Sequence, residues 1–213
     1  YIRKRLYQIG VKNVLVFPYG IPDPMVVDST DDNFSEVFLP KKINFSHYKF
    51  VLFSPSASSA DQRFINDLIK NKSVISFFEK NKILLILKGN LDSSLSDNII
   101  IINKYLTDNQ YQNIFLQSDF ILLSYPISYK YSVSAVFFEC IANNKICLLS
   151  DIEVFKCYES FMNFNPFFKN TDDFLIKLNG LMNLEYNNLT NHYKNKDKLI
   201  PHFNQLLKIQ HIK

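Results

Sequence analysis

Asp119-Phe-Ile-Leu-Leu-Ser-Tyr-Pro126, then Ser132-Val-Ser-Ala-Val-Phe-Phe-Glu-Cys-Ile-Ala142, then Lys145-Ile-Cys-Leu-Leu-Ser150, is the stretch that decides the fold. Phe120 to Leu123 and Ile146 to Leu149 are short, continuously apolar runs, as a parallel strand covered on both faces requires. Between them, serines that suit a helix N-terminus open a longer run, so a helix is expected over Ser132 to Ala142. Strand, helix and strand in that order make a βαβ unit.

The same alternation extends outward. Val14 to Phe17, Phe50 to Phe53, Ile83 to Leu87 and Ile99 to Ile102 read as further strands. Asp61 to Lys70, Ser73 to Phe78 and Asp108 to Leu116 read as helices, with Asp61 and Asp108 as expected N-caps. The fold expected over residues 47–165 is therefore α/β, a Rossmann-like doubly wound parallel sheet. Residues 166–213 are expected to add C-terminal helices packed on it, around Asp172 to Met182 and Pro201 to Ile209, with Pro201 in a first turn. Residues 1–46 differ: Gly20-Ile-Pro-Asp-Pro24 breaks the chain and Asp28 to Asn33 is polar. They read as a segment crossing in from an N-terminal domain that the chain lacks. The start at Tyr1, without methionine, agrees with a fragment.

Composition narrows the function classes. The chain has 213 residues, 47% of them hydrophobic, enough for one well-filled core. A net charge of +4 is too small for a nucleic-acid footprint, so no nucleic-acid partner is expected. Basic residues gather at the two ends, as Arg3-Lys4-Arg5 and from Lys194 onward, which fits solvated helix faces or a peripheral membrane contact. The longest apolar runs are too short to span a bilayer. Cys140, Cys147 and Cys157 form no CxxC pair, which points to neither a zinc site nor a disulfide scaffold but to a reduced, cytoplasmic setting. His47, His192, His202 and His211 lie away from the carboxyl ends of the expected strands and read as surface or packing residues.

In an open parallel sheet, ligands bind beyond the carboxyl ends of the strands. The N-terminus of the helix opening at Ser132-Val133-Ser134 offers free backbone N–H groups, for which a diphosphate is the natural guest. Ser132 and Ser134 either cap that helix or contact phosphate oxygens. Glu139 stands in an apolar run, and a buried carboxylate requires partners. On one continuous helix it falls two turns below Ser132, on the same face. It either accepts from ribose hydroxyls or pairs structurally with Arg63 or Lys145.

Taken together, these segments resemble the C-terminal, donor-nucleotide-binding domain of a GT-B fold glycosyltransferase of the group 1, or family 4, kind. Asp119 to Pro126 is similar to the strand that precedes that family's E-x7-E motif, and Glu139 falls on its second glutamate. Val14 to Pro22, Arg63 to Ile69, Leu85 to Gly89 and Ile101 to Asp108 resemble other segments of the donor domain, in the right order. The resemblance covers residues 14 to about 160. It implies that Ser132, Val133, Ser134 and Arg63 bind the diphosphate, that Glu139 holds the ribose, and that Ile102, Asn103, Lys104 and Tyr105 border the nucleobase. It also implies a hexosyltransferase-like enzyme with a nucleotide-diphosphate sugar, UDP-linked, as donor and no metal. The acceptor would be a growing surface polysaccharide or a glycolipid, held by the missing N-terminal domain at the inner face of the membrane, so the fragment alone would transfer little or no sugar.

The sequence departs from the family at several points. Tyr131 stands where the first glutamate would be, Ser54 to Ala60 carries no arginine, and the helix-opening glycines are serines. Lys130 is then either a replacement cation on the diphosphate or a solvated loop lysine. These departures also fit a catalytically degenerate GT-B-like module that only binds or scaffolds. A dinucleotide-dependent enzyme fits less well, because no GxGxxG follows the early strands.

Overall fold

The computed structural model describes Gln8, Gly10 and residues 21–26, 45–56, 60–91, 96–130, 132, 134–183 and 192–194. The expected strand Val14 to Phe17, the helix Pro201 to Ile209, Tyr131 and Val133 lie outside these residues.

Six strands form one parallel sheet: β1 (Phe50–Ser54), β2 (Ile83–Lys88), β3 (Ile99–Ile102), β4 (Phe120–Leu123), β5 (Ile146–Ser150) and β6 (Phe167–Phe168). Their order is β3-β2-β1-β4-β5-β6. The chain thus winds outward one way from β1 and the other way from β4, leaving a crevice where the direction reverses. The helices are α1 (Gln62–Lys70), α2 (Lys72–Lys80), α3 (Asp108–Gln117), α4 (Ala135–Ala142), α5 (Glu153–Lys156) and α6 (Thr171–Asn183).

Both faces of the sheet are covered, which explains the unbroken apolar runs. Successive residues of a strand point to opposite faces. Phe50 and Leu52 share one core with residues of α1, α2 and α6, while Val51 and Phe53 share the other with residues of α3, α4 and α5. Leu52 and Phe53 are both fully buried. α1 seats Phe64, Ile65, Leu68 and Ile69 in the first layer, each contributing roughly 1.5–3 kcal/mol by burial. β3, at the edge, keeps its two middle isoleucines partly exposed. The Rossmann-like doubly wound α/β fold expected from the apolar pattern is the fold found.

Three local expectations need correction. α4 begins at Ala135, not Ser132, because Ser134 takes the N-cap and accepts from Phe137 N at 3.3 Å. Ser132 instead closes a turn, its N–H donating to Tyr129 O at 2.8 Å, so it shares no helical face with Glu139. α3 is capped by Thr107 rather than Asp108, in a reciprocal capping box with Gln110. The sheet also continues past residue 165, where Phe167–Phe168 adds β6 beside β5.

Candidate functional site

The loops after β1 and β4 meet at the crevice, where Asp61 N donates to Ser124 O at 2.6 Å. A cleft of about 430 Å³ opens there and runs toward the carboxyl ends of β5 and β6. Asp61, Arg63, Ser124, Asp151, Lys169 and Thr171 give it its polar lining. Tyr125 and Phe168 supply apolar wall, and Phe168 stacks on Phe64 with ring centres 4.8 Å apart.

The polar groups of the cleft divide sharply into engaged and free. Asp61 is the N-cap of α1, its carboxylate accepting from Arg63 N at 3.0 Å and Phe64 N at 3.4 Å. Asp67 accepts from Thr171 Oγ1 at 2.8 Å, tying α1 to α6. Asp151 is paired with Lys156 at 2.6 Å, and that hydrogen bond holds the Lys156 ammonium above its ordinary pKa. The Arg63 guanidinium and the Lys169 ammonium, by contrast, have no partner among the described residues. Ser124 Oγ is buried with none either, its residue 1% exposed. A buried hydroxyl without a hydrogen bond is unfavourable.

The α4 N-terminus adjoins this cleft through Tyr125, whose hydroxyl lies 3.2 Å from Ser134 Oγ. Burial raises the pKa of that phenol, while hydrogen bonds from Ser134 and Ser56 oppose the rise. Ser134 is therefore used as a cap and as a partner of Tyr125, and Ser132 is exposed. Val133 lies outside the described residues, and the half-buried Lys130 does not line the cleft.

Glu139 is partly exposed and accepts from Tyr111 Oη at 2.5 Å. Neither Arg63 nor Lys145 is its partner. Arg63 is on the cleft, and Lys145 Nζ donates to the carbonyls of Leu116 and Ser118 at the end of α3. Burial lowers the Lys145 pKa, against the pull of Asp119. Burial, with the Glu139 carboxylate beside it, pushes the Tyr111 phenol far up. One oxygen of Glu139, Oε1, keeps capacity for a ligand hydroxyl.

The loop after β3 is open. Ile102 is buried as the last strand residue, Asn103 accepts from Leu91 N at 3.4 Å, and Lys104 and Tyr105 are exposed. Tyr105 is 83% exposed, an aromatic face available to a ligand.

No protein-family model and no curated protein matches the chain.

Of the described residues given a site role from sequence, Arg63 alone lines the cleft, and Ser134 reaches it through Tyr125. Glu139 and residues 102–105 occupy other positions on that side of the fold. Sequence reading missed Ser124, Tyr111 and Lys169. Ser124 ends a strand, which marks it as close to any ligand of an open sheet. Tyr111 sits in an ordinary helical pattern and Lys169 in a short loop, and nothing in either segment signals a site. Among the described residues, no group of His, Cys, Asp and Glu is arranged to hold a metal ion. No helix among them is long and apolar enough to cross a membrane.

Proposed function

We propose that this chain is the donor-nucleotide domain of a glycosyltransferase and binds a nucleotide-diphosphate sugar, UDP-linked, for transfer to a surface polysaccharide or glycolipid. The observation that carries the proposal is the cleft at the β1–β4 crevice, with a free guanidinium and an unpartnered hydroxyl in its wall. Doubly wound sheets bind nucleotides at that point. The order of sequence segments, from Arg63 through the loop after β3 to Glu139, supports the same reading.

In this scheme Arg63 and the N-terminus of α4 stabilise charge on the departing diphosphate, and no metal is needed. Glu139, oriented by Tyr111, accepts from the ribose diol through Oε1. Ile102 to Tyr105 border the base. The acceptor and any general base belong to an N-terminal domain, with the assembly working peripherally at the cytoplasmic face of a membrane.

Calorimetric titration with UDP, GDP, CDP and ADP tests the reading. One nucleotide should bind and raise the melting temperature. Glu139→Ala should weaken it, and unchanged affinity would remove the role given to Glu139. Binding of no nucleotide at all would sink the whole reading.

A further inference from the structure

The cleft holds a cation that the sequence resemblance does not provide. We propose that Lys169, together with Arg63 and the Ser124 hydroxyl, forms an oxyanion-binding set for a phosphate-type group. The site itself stands on the geometry; only the identity of the ligand as a nucleotide diphosphate rests on the reading above.

Three carboxylates line the cleft, and each has one oxygen engaged, by α1 amides, by Thr171 and by Lys156. With Lys156 counted, Asp61, Asp67 and Asp151 are balanced by Arg63, Lys169 and Lys156. Lys156 stands outside the lining, so the wall itself carries three carboxylates against two cations, and those two cations are its charged groups without a partner among the described residues. An oxyanion takes donors only, and charge-assisted bonds to it are the strong ones.

Ser124 Oγ leads independently to the same class of ligand. A hydroxyl that is buried and unpartnered in the free protein lowers stability, and a bound oxyanion would accept its hydrogen. The backbone at Lys169 is also held in place, leaving its side chain exposed at the cleft. Its own N–H donates to Asp173 at 3.0 Å, and Phe168 before it accepts from Asp151 N at 2.8 Å and stacks on Phe64. Lys130, the sequence's candidate for a second cation, does not line this cleft.

The test titrates the 213-residue chain with inorganic pyrophosphate, UDP and glucose, as wild type and as Lys169→Ala, Lys169→Arg and Ser124→Ala. The proposal expects pyrophosphate to bind and Lys169→Ala to weaken it by about tenfold or more, with Lys169→Arg retaining most of the affinity. Ser124→Ala should also weaken binding, while raising the melting temperature of the free protein by about 2 °C, because it removes an unsatisfied group. A purely structural serine would not give that opposite pair of effects. Lys169-dependent pyrophosphate binding without nucleotide binding would support the oxyanion set and reject the nucleotide reading. UDP binding that ignores both Lys169→Ala and Ser124→Ala would overturn the set and leave the nucleotide reading intact. Glucose binding with no pyrophosphate binding would also overturn it.

Discussion

Tyr111 Oη donates to Glu139 Oε2 at 2.5 Å, joining the first turn of α3 to the second turn of α4 on one face of the sheet. This contact explains how an acidic residue is tolerated in the apolar run Ala135 to Ala142. It also sets the direction in which the carboxylate presents its other oxygen.

The pair is expected to couple energetically. Tyr111→Phe removes the donor and leaves a partly buried carboxylate short of a partner, for a loss of about 1–2 kcal/mol. Glu139→Gln keeps an acceptor and should lose less. Urea denaturation of Tyr111→Phe, Glu139→Ala and the double variant forms a cycle whose interaction energy should be about 0.5–2 kcal/mol. An interaction energy of zero would mean that the bond contributes nothing in solution. If Glu139 served stability alone, both single variants would lower the urea midpoint and leave UDP affinity untouched.

Asp61 offers a second, simpler test. Its carboxylate caps α1, and its N–H holds the carbonyl of Ser124 across the crevice. Asp61→Ala should cost about 1 kcal/mol of stability from the cap alone, with Asp61→Asn recovering most of it. The backbone bond to Ser124 survives either change. Thermal unfolding that treats Asp61→Ala and wild type alike would show the cap to be idle.

The fold was legible because burial on both faces leaves a plain mark. Phe50 to Phe53, Ile83 to Leu87 and Phe120 to Leu123 can hardly be anything but central strands once helices alternate with them. β6 leaves no mark in the sequence because Phe167-Phe168 is two residues long, and its pairing with β5 is a tertiary fact. Ser132 and Ser134 are equally good caps by type, so the sequence alone starts α4 too early. The choice between them depends on Tyr125, which holds Ser134, and on the turn that takes Ser132 N. The site was only partly legible for a similar reason. Arg63 follows a recognisable cap, whereas Lys169 and Ser124 matter through what their neighbours leave unsatisfied. No local pattern records an absent hydrogen bond.

The three cysteines should separate by exposure. Cys140 and Cys147 are buried, and Cys157 is exposed. Burial, with Cys147 beside it, holds the Cys140 thiol well above its ordinary pKa and keeps it unreactive. A thiol reagent should label a single cysteine in the native chain and all three in denaturant. Native labelling of more than Cys157, located by peptide mapping, would contradict the packing of α4 on β5.

Alkaline pH should unfold the protein, and the sign follows from three phenols. Tyr111, Tyr125 and Tyr193 all have folded pKa values raised by burial above the ordinary 10.0. In the unfolded chain each loses its proton near pH 10, while in the folded chain each keeps it. The folded state therefore binds more protons above that pH, and stability falls as pH rises. The contribution is fully present below about pH 10. Above it, each phenol held neutral removes about 1.4 kcal/mol per pH unit. Ultraviolet titration of phenolate should accordingly show fewer than the full 12 tyrosines ionising in the folded protein, the remainder appearing together with loss of far-ultraviolet dichroism. Tyr193→Phe removes one such phenol, together with its bonds to Lys145 O and Cys147. It should lower stability at neutral pH and flatten the decline above pH 10, and an unchanged alkaline slope would show that Tyr193 already ionises in the folded chain.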